Sequence, residues 1–206
     1  SVRSGGALTV TDALSPAGNA TVTAGSATFA SAIDGAHALT VNASGLTTFG
    51  AAVGSGTALA SLTTDAAGST RVGADITTSG TQHYGDAVTL TAATNFTAGT
   101  LVFDSTLAAG SHQLGLQADA LTLGGTVSGS GTVSLAPSLA TTTIGLAGGA
   151  GTYQLSQTTL SRLTGFSTLA IGRSDGSGDI RVGHLVLSMD TALQSGSGTI
   201  HLDGSV

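Results

Sequence analysis

Cysteine is absent from the 206 residues, and so are lysine and glutamate. Without cysteine there is no disulfide framework and no thiol for a metal or a nucleophile. An extracellular chain of this kind must hold itself together by other means, and a long ladder of stacked strands is one. The five basic residues are all arginine, the eleven acidic ones are all aspartate, and the formal net charge is −6. A phosphate-binding face needs clustered Lys or Arg, so nucleic acid is excluded as a partner. The same balance argues against an anionic membrane surface. No apolar run is long enough to span a bilayer, and no signal peptide is visible. The chain starts in Ser1-Val2-Arg3, which reads as a processed piece of something longer. Charged residues make up 8% and aromatic residues 3%. Disorder is nevertheless not implied, because 40% of the residues are hydrophobic and the mean hydropathy is +0.37.

What is present is small. Glycine supplies 32 residues, and Ala, Ser and Thr dominate the rest. Glycine and β-branched threonine are weak helix formers but suit tight turns and stacked strands. One pattern then recurs. Phe29, Ala32, Ile33, Ala38 and Leu39 reappear as Phe49, Ala52, Val53, Ala58 and Leu59, each 20 positions on. A third copy starts at Tyr84, with Gly85, Ala87 and Val88, and an imperfect fourth runs from Phe103 to Leu107. A fixed period near 20 residues is the signature of a solenoid.

The rest of the chain keeps the same grammar. Ala7 to Thr11 alternates apolar and polar, and apolar-x-apolar triplets follow at Val88–Leu90, Leu101–Phe103, Leu114–Leu116, Leu121–Leu123, Val133–Leu135 and Ile144–Leu146. An antiparallel sandwich also spaces its strands at 8 to 12 residues. The internal repeat, the shortness of the strands and Gly/Ser turns without a hairpin signal favour a parallel β-helix. Coils of about 20 residues give roughly ten coils and a rod on the order of 50 Å, at about 4.8 Å per coil. Phe29, Phe49, Tyr84 and Phe103 are expected to form a partial inward stack. One segment departs from the pattern. Residues 156–164 have apolar positions three apart, with Ser156 as N-cap and Gly165 as stop, so a short helix is expected there.

The block from Tyr153 to Leu187 carries Tyr153-x-Leu155, the Leu160/Leu163 turn, Gly165-Phe166, Leu169-x-Ile171-Gly172-Arg173, Asp175-Gly176-x-Gly178 and Ile180-x-Val182-Gly183. It resembles a module of very long bacterial surface adhesins of the filamentous-haemagglutinin type. The aromatic-x-x-Ala-aliphatic repeats upstream look like the stalk repeats of the same proteins. The resemblance implies a secreted, right-handed parallel β-helix that forms a shaft for adhesion, biofilm or contact-dependent functions. It brings no catalytic residue with it.

Several clusters are candidate sites. Asp175-Gly176-Ser177-Gly178-Asp179 offers two carboxylates in a flexible turn, a candidate for Ca²⁺, although that cation takes six to eight oxygens. A solvated turn is the competing reading. His37, His83, His112, His184 and His201 show no metal-ligand spacing. Asn19, Asn42 and Asn95 all stand in N-x-S/T sequons and are candidate glycosylation sites. Rows such as Thr9-Val10-Thr11 and Thr21-Val22-Thr23 suggest an ice-binding face, but the spacing is not kept from coil to coil. A polysaccharide-active β-helix enzyme would need paired carboxylates, and Asp75, Asp104 and Asp119 are scattered.

The expectation is therefore one β-solenoid over residues 1–206, a shaft segment of a secreted bacterial surface adhesin without catalysis or an obligatory cofactor. Its partners would be neighbouring repeat domains or head-to-tail copies of itself, with host or cell-surface glycans as further candidates. A glycan- or ice-binding β-helix and a polysaccharide-active enzyme are the alternatives.

Overall fold

In the computed structural model, which describes residues 1–204, the chain winds through about ten turns of a parallel β-solenoid. The first coil holds β1 (Val2–Arg3) and β2 (Ala7–Val10), the second β3 (Ala20–Ala24) and β4 (Ser26–Phe29), the third β5 (Ala38–Ala43) and β6 (Leu46–Phe49). From the fourth coil on there are three strands per turn: β7 (Ser61–Thr64), β8 (Ser69–Val72) and β9 (Ile76–Thr77); then β10 (Thr81–Tyr84), β11 (Ala87–Leu90) and β12 (Thr94–Thr97). The sixth coil is β13 (Thr100–Phe103), β14 (Leu107–Gly110) and β15 (Leu114–Gln117), and the seventh β16 (Ala120–Leu123), β17 (Val127–Gly129) and β18 (Thr132–Ala136). Beyond lie β19 (Ile144–Leu146), β20 (Tyr153–Leu155), helix α1 (Gln157–Leu160), β21 (Leu163–Thr164), β22 (Thr168–Gly172), β23 (Ile180–Val182), β24 (Asp190–Gln194) and β25 (Ile200–Leu202).

These strands build walls, and every pairing is parallel. The first wall stacks β1, β3, β5, β7, β10, β13 and β16; the second runs from β2 through β4, β6, β8, β11, β14 and β17 to β21; the third runs from β9 through β12, β15, β18 and β22 to β24. The alternation along each strand follows directly. Successive side chains point in and out, so Leu39, Val41 and Ala43 of β5 are buried while Ala38, Thr40 and Asn42 between them are only half-buried. Because the coils are in register, inward residues stack in columns. One column climbs Val22, Val41, Thr64, Tyr84, Phe103 and Leu123. Gly68, with φ +80, turns a corner beside the Gly45 carbonyl of the coil before, where no β-carbon fits.

The aromatic stack differs from the expectation. Phe29 and Phe49 stack face to face at 5.4 Å in the second wall, and Tyr84 and Phe103 at 4.9 Å in the first. They are two stacks, not one. The motif marks the end of a strand, a corner and the start of the next strand, and two different corners satisfy it. The register partner of Phe49 is Val72, and Tyr84 rests on Thr64. A helix forms with Ser156 as its N-cap, whose hydroxyl oxygen accepts the Thr159 amide at 3.0 Å, and Leu160 is buried. It is a single turn that ends at Ser161, and Leu163–Thr164 is already strand β21, so Gly165, with φ +80, turns the chain after that strand and does not stop the helix.

One coil is longer than the others. Val127 pairs with Leu163 and Val133 with Leu169, a step of 36 residues where most coils advance 19 or 20. The surplus forms an excursion that carries β19. This strand lies above β20 although it precedes β20 in sequence, and β23 then pairs with its far side. The wall order is therefore β20-β19-β23-β25.

The core contains two tyrosines in unlike states. The Tyr84 hydroxyl donates to Gln82 Oε1 at 3.1 Å, and Gln82 Nε2 in turn donates to the Ile76 and Thr97 carbonyls at 3.0 and 2.9 Å. The buried Tyr153 hydroxyl has no hydrogen-bond partner among the described residues. Burial raises both phenols above their ordinary value. Tyr84→Phe is expected to cost about 1–3 kcal/mol because it orphans a buried amide oxygen, whereas Tyr153→Phe is expected to be neutral or stabilising. Urea unfolding of the two variants beside the parent checks the contrast.

Candidate functional site

Short polar side chains at the corners do one recurring job. Asn19 Oδ1 accepts the Ala38 amide at 3.0 Å, and Asp34 Oδ1 accepts Gly56 and Thr57 at 2.8 and 3.1 Å. Asp65 Oδ1 accepts Ala43 at 3.0 Å, Asp75 Oδ1 accepts Asn95 at 2.8 Å, Asp119 Oδ1 accepts Ser138 at 3.3 Å, and Asp179 Oδ1 accepts Thr199 at 2.9 Å. Each bond crosses to the adjacent coil, 19 to 23 residues away. A corner breaks the wall's own hydrogen bonding and leaves amides that need an acceptor. Asp and Asn suit that role because their short side chains fold back onto nearby backbone. Glutamate, one methylene longer, is less suited to this role.

The Asp175 turn is the most elaborate of these corners. Arg173 grips Asp175 in a two-point ion pair, Nε to Oδ1 at 2.9 Å and Nη2 to Oδ2 at 2.8 Å. Its Nη1 donates to the Ser138 carbonyl at 3.1 Å and to that of Pro137 at 3.4 Å. The Ser177 amide donates to the Ala140 carbonyl at 2.8 Å. Gly178 passes so close to the Thr142 carbonyl that a β-carbon would collide with it. The turn is thus a clasp over the start of the excursion that leads to β19. Asp179 lies apart from this pair and faces the next coil, with His201 Nε2 3.3 Å from its Oδ2. The Arg173 guanidinium holds Asp175 below the usual carboxylate range, and the Thr199 amide does the same for Asp179.

The candidate residues fall as follows. Asp175 and Asp179 are each engaged by other groups, and among the described residues no group of three or more His, Cys, Asp or Glu gathers as a metal site would require. His83 lies 2.6 Å from Asp104, while Asp75 and Asp119 are corner acceptors, so the three scattered carboxylates serve three separate corners. Asn95 Nδ2, the atom a glycan would occupy, is 3.3 Å from Asp75 Oδ1. Asn19 is exposed, and Asn42 sits half-buried on the outer face of β5 beside Thr23. Threonine does form outward columns, Thr9–Thr28–Thr48 and Thr21–Thr40–Thr63, but Arg71 and His83 interrupt them at the next coil. Local sequence does not mark Asn19, Asp34 and Asp65 as corner acceptors. Their signal is a short acidic or amide residue about one coil from the backbone it serves.

No family model matches the chain, and no curated protein and no solved structure matches it either. The fold makes it a β-helical repeat protein, and the likeness to adhesins rests on the motifs alone.

Removing the clasp is expected to loosen the excursion. Arg173→Ala should speed amide exchange over 137–142 and 173–178 and leave the first five coils unchanged. Acid should act in the same direction. Both carboxyls titrate below their unfolded value near 3.9, so their contribution is complete at neutral pH and is lost as pH falls through the folded values. Exchange measured at neutral pH and near pH 2, on parent and variant, checks both statements.

Proposed function

We propose that the chain is a structural shaft segment of a secreted bacterial surface adhesin or fibre and performs no catalysis of its own. One observation carries the reading: the polar side chains at the corners are spent on the backbone of the neighbouring coil. Asp34, Asp65, Asp75, Asp119 and Asp179 each accept a main-chain amide from the adjacent turn. An enzyme of this architecture needs two carboxylates turned toward a substrate, and these are turned toward the rod.

The surface supports the same reading. All five phenylalanines and both tyrosines are buried, so no ring is left outside on which a sugar could stack. No helix among the described residues is long and apolar enough to cross a membrane. In a shaft, stiffness comes from the ladder between coils and length from repetition, so neighbouring repeat domains or further copies of the chain are its natural partners. A cysteine-free solenoid suits an extracellular location because it needs no oxidative maturation.

Negative-stain electron microscopy and a glycan array test this together. Straight rods about 50 Å long, at about 4.8 Å per coil, without glycan retention, are the expected result. Compact particles, or saturable binding of one glycan class, would sink it.

A further inference from the structure

We infer that coils four and five form a weak joint in the shaft, graded by pH and governed by the Asp86 carboxyl. Polar residues crowd the core here. Thr47, Thr64, Thr70, Thr78, Gln82, Asp86 and Thr94 are all buried within coils three to five, whereas coils six and seven are filled with aliphatic side chains and Phe103. Each of these polar groups must leave water for the coils to close, which narrows the margin against local opening here.

Asp86 sits at the corner between β10 and β11 and is 4% exposed. Its Oδ1 accepts the Thr70 hydroxyl at 2.8 Å and the Thr64 hydroxyl at 3.3 Å. The charged and titratable groups around it do not compensate a negative charge. Asp65, at the β7–β8 corner, is a like charge, and Tyr84 of β10 is a neutral phenol. Arg71 of β8 is an exposed member of an outward column, and His83 of β10 is committed to Asp104. No ion pair found among the described residues includes Asp86. Burial without a cation favours the protonated carboxyl, and the two hydroxyl bonds and the residue's own amide offset this only in part.

The consequence has a definite sign. Closed coils hold Asp86 with a raised pKa, and opened coils expose it to water, where it titrates near 3.9. Closure is fully supported below that value, and the support is lost as pH rises toward the raised one. Between the two, opening of this joint is expected to increase about tenfold per pH unit and then level off. The rod is therefore firmest in mild acid at this point, while the Asp175 clasp behaves in the opposite way.

Native-state hydrogen exchange of the full chain, corrected for intrinsic rates, tests the inference at pH 4.5 and 7. Amides of residues 61–97 should lose protection at pH 7 relative to residues 100–136, and Asp86→Asn should abolish that difference. Equal protection in both regions at pH 7, or the same pH dependence in the variant, would overturn it. The carboxyl carbon of Asp86, followed by NMR in the unaltered protein, gives a reading that does not depend on how the variant folds. An ordinary carboxyl titration there would also overturn the joint. Neither result bears on whether the chain forms rods, so the shaft reading stands or falls separately.

Discussion

In a stack of parallel coils every inward side chain rests on the one a coil below, and little else in this molecule is free of that constraint. The backbone ladder fixes the coils at about 4.8 Å apart, so a column accepts only residues whose shapes nest. The face-to-face pairs Phe29–Phe49 and Tyr84–Phe103 are what flat rings do at this spacing. Phe96 fills the remaining space edge-on, meeting Tyr84 at 80° and Phe103 at 87°. At the corners the same spacing brings backbone against backbone, which is why small residues take over there.

The constraint also divides what could be read in the sequence from what could not. Apolar-x-apolar triplets reveal strands because alternation is local. Ser156 and Leu160 reveal the helix for the same reason, whereas Gly165 turns the strand after it. The assignment of strands to walls is not local. Tyr84 has the same neighbours in sequence as Phe49, yet it belongs to a different wall, because coil lengths drift. Leu39 pairs with Leu62 across 23 residues, and Leu101 with Leu121 across 20. Contacts one coil away were equally invisible. Asp75 reads as a lone acid until Asn95 is placed beside it, and Asp175 reads as part of a flexible turn until Arg173 is placed against it. The order of β19 and β20 has no sequence signal beyond the glycines around residue 149.

Two kinds of carboxylate therefore coexist. Asp175 and Asp179 are solvated, bonded to arginine or to a main-chain amide, and favour the charged form. Asp86 is enclosed, bonded to hydroxyls, and favours the neutral form. The first kind replaces the disulfides and the Lys–Glu pairs this chain lacks. The second places a polar fault in a core that is otherwise sorted by shape.

Each coil is held by its neighbours alone, through the walls and corner staples. Pulling one molecule between residues 1 and 204 tests it most directly. A staircase is expected: releases of about 20 residues, near 70 Å of chain at ~3.4 Å per residue, with one longer release where 36 residues separate successive wall strands. A single rupture that frees the whole chain at once would contradict it.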